Sequence, residues 1–76
     1  MSREVFRVRC IEGEKRKDIT VSAIMFGRRL FNLAYVDEII VDTVLRHAIA
    51  IKGDWYSYYY DVDVQRLIEL CHLHLH

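Results

Sequence analysis

The last six residues, Cys71-His72-Leu73-His74-Leu75-His76, hold the densest set of metal-ligating side chains in this sequence. On a helix, Glu69, His72 and His76 would share one stripe at spacings of three and four, a geometry that can chelate zinc or another transition metal. His74 would then point elsewhere, whereas an extended tail would put all three histidines on one face. Against chelation stands the simpler expectation of a solvated stripe that titrates near neutral pH. No metal and no cofactor are expected, and Glu69, His72 and His76 are the side chains that would hold one.

Catalytic patterns are missing. There is no glycine-rich phosphate loop, no Gly-x-Ser-x-Gly elbow and no histidine spaced to activate a cysteine or serine. Asp61 and Asp63 form a carboxylate pair, but negative side chains are also favoured at the start of a helix. Seventy-six residues also leave little chain with which to enclose a substrate. The expected protein is not an enzyme.

The run Asp54-Trp55-Tyr56-Ser57-Tyr58-Tyr59-Tyr60 carries most of the remaining chemical interest. As a strand it would place Trp55, Ser57 and Tyr59 on one side and Tyr56, Tyr58 and Tyr60 on the other. Tyrosine and tryptophan bury much area at low entropic cost and keep a polar handle, so they dominate protein-binding hot spots. They could equally stack on nucleic-acid bases or simply fill a small core. The reading adopted is a protein-binding surface of Trp55, Tyr56, Tyr58 and Tyr59, joined by Arg28 and Arg29.

Charge is unevenly divided beneath a net value of zero. Residues 1–35 hold eight Lys/Arg against four Asp/Glu, and residues 36–76 hold three against seven. Each half therefore carries four charges in excess, of opposite sign, which suits pairing within the chain, with a second copy or with a charged partner. Arg7, Arg9, Lys15, Arg16 and Lys17 would serve the alternative function, a dimeric nucleic-acid-binding regulator.

These residues need elements to position them. Alternation from Glu4 to Glu12 predicts a half-buried strand with Phe6, Val8 and Cys10 on one side. A polar turn around Gly13 and the β-prone Ile19-Thr20-Val21 complete an N-terminal antiparallel β-hairpin. Helical spacing of Ala23, Phe26, Gly27, Leu30, Leu33 and Ala34 predicts a helix from about Ser22 to Tyr35, in competition with a second strand extended to Phe26. A second central amphipathic helix is predicted from Asp37, its cap, to Gly53, its terminator. Val36 would staple to Val41, and Asp42 would pair with Arg46. The aromatic strand follows, and then a C-terminal helix from about Asp61 to Leu73 with Val64, Leu67, Ile68 and Cys71 inward.

The expected architecture is thus α+β: hairpin, two central helices, aromatic strand or extended segment, closing helix, all in a single small domain of residues 1–76. A strand at residues 18–22 followed by two helices has the element order of ribbon-helix-helix repressors, with Thr20 and Ser22 on the exposed strand face. The first strand and the aromatic tail lie outside that pattern, and no family membership follows.

Two cysteines are too few for a secreted disulfide framework. Cys10 and Cys71 are read as core residues of a reduced, cytoplasmic protein, with a bond between them as the alternative. No secretory leader and no membrane-spanning run are expected. At 53% apolar residues, so short a chain has more hydrophobic material than its interior can hide. The expected function is a small regulatory or accessory protein, of the type that phages and mobile elements encode, that forms a homo-oligomer, most simply a dimer, and binds or inhibits a protein partner.

Overall fold

The computed structural model describes residues 5–22 and 35–76, and they form a mixed five-stranded sheet with one helical segment. The strands are β1 (Val5–Glu12), β2 (Lys15–Ser22), β3 (Glu38–Asp42), β4 (His47–Lys52) and β5 (Trp55–Tyr60). A short 3-10 turn, Asp61–Val64, leads into the helix α1 (Gln65–Leu75). The order across the sheet is β2-β1-β3-β4-β5, with β1 and β3 parallel and every other neighbouring pair antiparallel.

Period-two burial organises the sheet. Phe6, Val8 and Cys10 of β1, Ile39 and Val41 of β3, and Ala48 and Ala50 of β4 all turn to one face and are buried. The 3-10 turn and α1 cover that face with Val64, Leu67, Ile68 and Cys71, the inward set that helical spacing predicted. Cys10 and Cys71 are fully buried and joined as a disulfide between β1 and α1, with 5.4 Å between their Cα atoms. The reading of both as core residues stands, but they are bonded rather than reduced.

The predicted helix from Asp37 to Gly53 is instead the hairpin β3–β4, which overturns the architecture with two central helices. The described chain is mostly β with one helix. Two strands and a four-residue turn imitate helical spacing here, because Ile40, Val41, Val44, Leu45, Ala48 and Ile51 lie three or four apart without sharing a face. Val44 and Leu45 stand exposed at the turn, about two-thirds open to solvent. The β-branched run Ile39-Ile40-Val41 suits the central strand of a sheet better than a helix.

The residues assigned to helix ends do turn chemistry instead. The Asp42 carboxylate accepts from the backbone N–H groups of Val44 and Leu45 at 3.0 and 2.9 Å. Arg46 sits in the left-handed region at φ 57° and pairs with Asp61 rather than Asp42, Nε to Oδ1 3.7 Å. Gly53, at φ 57°, supplies the positive φ that the β4–β5 turn needs, and its N–H donates to Asp37 Oδ2 at 3.0 Å. Asp37 and Gly53 thus meet across a hairpin, not at the two ends of a helix.

The first predicted helix, the strand extension to Phe26, Arg28 and Arg29 lie outside the described residues. The ribbon-helix-helix element order fails, since its second helix is a pair of strands. The polar turn around Gly13 is short, lying between the end of β1 at Glu12 and the start of β2 at Lys15. Lys15, Arg16, Lys17 and Asp18 belong to β2, paired with Glu12, Ile11, Cys10 and Arg9. Among the described residues, no helix is long and apolar enough to cross a membrane.

Candidate functional site

The sheet face turned away from α1 contains no buried residue, and the strand registers arrange its side chains in three rows. One row reads Thr20, Arg7, Glu38, Ile51, Tyr56; the next Asp18, Arg9, Ile40, Ile49, Tyr58; the third Arg16, Ile11, Asp42, His47, Tyr60. Charge therefore gathers on β2 and β1, and apolar and aromatic surface on β4 and β5.

In the charged half, Arg9 Nε donates to Asp18 Oδ1 at 3.1 Å, and Arg9 Nη2 lies 3.6 Å from Glu38 Oε1. The hydrogen bond to Asp18, its charge and that of Glu38 raise the Arg9 pKa further. The basic half of the chain thus meets the acidic half within one molecule at Arg9 and Glu38.

The aromatic half is built by the alternation of β5. Tyr56, Tyr58 and Tyr60 point to the open face and are 59%, 49% and 57% exposed. Tyr56 and Tyr58 meet edge to face with centroids 5.7 Å apart, and Tyr58 and Tyr60 stack at 6.4 Å. His47 closes the row edge-on to Tyr60 at 6.2 Å. Each tyrosine ring of this row thus has an aromatic neighbour within pairing distance.

The structure divides the predicted binding set. Tyr56 and Tyr58 lie together on the open face, and Tyr60, absent from that set, completes their row. Tyr59 turns to the opposite face and packs on the core beside Ala48. Trp55 shares the side of Tyr59 but lies at the strand end, opposite Lys52, and is exposed. Strict alternation was the signal that separates Tyr60 from Tyr59.

The basic set proposed for nucleic acid is divided too. Arg7, Arg9 and Arg16 fall on the open face, whereas Lys15 and Lys17, in register with Glu12 and Cys10, fall on the other. The Arg16 Nη1 folds back onto the carbonyls of Gly13 and Lys15 at 2.5 and 2.9 Å.

The two sheet edges differ in the same sense. On the β2 edge, Lys15-Arg16-Lys17-Asp18 lays four charges in succession, a common protection against unwanted strand pairing. On the β5 edge, Trp-Tyr-Ser-Tyr-Tyr-Tyr has no charge, and among the described residues no further strand pairs with it. Among the described residues, high β propensity, exposed rings and an edge without charge coincide in this strand.

A second cluster joins α1 to the end of β1. The His72 Nε2 lies 3.1 Å from Glu12 Oε1, and His76 Nε2 lies 2.5 Å from Glu12 Oε2. Thr43 donates its hydroxyl within 3.1 Å of both Glu12 Oε1 and the Ile11 carbonyl. Glu69 instead accepts from Gln65 at 3.1 Å, so the predicted trio of Glu69, His72 and His76 exchanges one member for Glu12. Sequence spacing could not supply a partner 60 residues distant.

Burial, the largest single influence, pushes the Glu12 carboxyl up, but Thr43 and the two imidazoles together hold it below its ordinary value. A depressed carboxylate pKa contributes stability above its unfolded value and loses it as the pH falls through the folded one. Urea unfolding measured from neutral to acid pH should therefore show stability falling below the usual carboxylate range. Glu12→Gln should flatten that acid limb, and an unchanged limb would remove Glu12 from the account.

Comparison with protein-family models, with curated proteins and with solved structures finds no match for this chain.

Proposed function

We propose that this chain is a non-enzymatic regulatory or accessory binding protein that pairs with a second copy along β5 and holds a protein partner on the tyrosine-lined face so formed. The contrast between its two sheet edges supports this reading best, since the charged edge resists strand pairing and the aromatic edge invites it. A twofold axis perpendicular to the sheet would set the two β5 strands antiparallel and continue both faces across the junction. The Tyr56, Tyr58 and Tyr60 rows of both copies would then form one aromatic platform, wide enough for a protein surface and too shallow to enclose a small substrate.

The buried disulfide supports function in an oxidising compartment, where such bonds persist, rather than in the cytoplasm expected from the cysteine count.

Sedimentation across a concentration series tests the pairing. The dimer should form as concentration rises, and its dissociation constant should barely move between low and high salt, because the apposed residues carry no charge. A nucleic-acid complex through Arg7, Arg9 and Arg16 would weaken steeply with salt. A monomer at every concentration would reject the pairing.

A further inference from the structure

The exposed rings of β5 stand in the acidic part of the chain, which narrows what they hold. We infer that the partner presents a basic segment, and that arginine guanidinium groups of that segment seat on the row of Tyr56, Tyr58 and Tyr60. This rests on the reading of the tyrosine face as a protein-binding surface and adds the chemistry of its occupant.

Three observations lead there. The first is charge: residues 36–63, which carry β3, β4 and β5, hold six Asp/Glu against two Lys/Arg. Those two bases are not free on the tyrosine row. Arg46 is engaged by Asp61 and by Gln65, and Lys52, in register with Trp55, belongs to the opposite face of the sheet. Carboxylates bracket the row, since Asp54 precedes Trp55, Asp61 follows Tyr60, and both are exposed. A cation placed along β5 is therefore drawn in from both ends.

The second is the rings themselves. The face of a tyrosine is electron-rich and attracts a cation centred within about 6 Å of it. Tyr56, Tyr58 and Tyr60 are each about half exposed and form a continuous row, with neighbouring centroids 5.7 and 6.4 Å apart. Arginine suits such a row better than lysine, because its planar group stacks on a ring while its edge stays free to donate to a carboxylate.

The third is the position of the other cations on this face. Arg9 is held by Asp18 and Glu38, and Arg16 folds onto two backbone carbonyls. Their strands, β1 and β2, lie three and four places from β5 in the sheet, and three strand spacings amount to about 14 Å. A basic segment on β5 thus meets no free cation close by, whereas an acidic one would meet Asp54 and Asp61.

Calorimetric titration with a short synthetic peptide of alternating threonine and arginine is the test, beside lysine and glutamate counterparts of the same length. The arginine peptide should bind, the lysine peptide roughly threefold more weakly, and the glutamate peptide not at all at millimolar concentration. Tyr60→Leu removes a ring but keeps an apolar side chain, and should weaken the arginine peptide roughly fivefold; Tyr60→Phe keeps the ring and should restore it. Asp54→Asn should weaken it by about twofold at low salt and leave it unchanged at high salt. Ring resonances of Tyr56, Tyr58 and Tyr60 should shift, and not those of Tyr59. Equal binding of the glutamate peptide, binding indifferent to Tyr60→Leu, or no binding of the arginine peptide at millimolar concentration would each overturn the inference. The solution mass of the same samples separates it from the pairing along β5. A dimer that ignores the arginine peptide overturns the basic partner alone, and a monomer that binds it through the tyrosine row overturns the pairing alone.

Discussion

Replacing Cys10 and Cys71 together by alanine should lower the free energy of unfolding by about 4 kcal/mol. The bond closes a loop between residues 61 apart in sequence, and most of its effect comes from the conformational freedom it removes from the unfolded chain. For a chain of 76 residues, that loss corresponds to a fall of roughly 15–30 °C in melting temperature. So small a chain buries only about 60% of its unfolded surface and has little hydrophobic stabilisation to spare. The effect should concentrate in α1, whose inward residues Leu67, Ile68 and Cys71 lose their covalent tie to β1. Urea unfolding of the two proteins side by side measures it. A change below about 1 kcal/mol, within the range of an ordinary surface substitution, would mean that the disulfide contributes nothing in solution.

Tyr58→Asp should weaken self-association by roughly 30-fold or more, the loss expected when a central aromatic residue leaves an interface. Tyr58 is the middle ring of the exposed row and contacts both Tyr56 and Tyr60. The introduced carboxylate also gives β5 the protection that β2 already carries. Because Tyr58 is half exposed and lies on the face opposite the core, the stability of the monomer should change by about 1 kcal/mol at most. Tyr59→Ala makes the contrast, since that ring packs on the core and its loss should destabilise the fold itself.

Alternation was legible in the sequence for the strands whose open face carries polar or aromatic side chains. Phe6, Val8 and Cys10 revealed β1, the aromatic run revealed β5, and the four inward residues of the closing helix were identified from their spacing. The central pair of strands was not legible, for a physical reason. In β3, Ile39 and Val41 are buried while Ile40 is half-buried on the other face, so the strand reads as a continuous apolar run, in which period alone cannot separate strand from helix. Asp37 and Gly53 then reinforced the wrong choice, because the residues that cap helices also build hairpin turns. At the site, the rings on β5 were evident, but their division between two faces decided which of them could act together. Glu12 was out of reach of local reasoning, since only the disulfide and the packing of α1 bring it to His72 and His76.

The most direct test of β5 as an interface compares the solution mass of the wild-type protein with that of Tyr58→Asp by light scattering over the same concentration series at high salt. The wild type should pass from one chain to two as concentration rises, and the variant, equally folded, should remain at one. If both proteins stay single chains, or both pair with equal affinity, β5 is not the surface through which this protein associates.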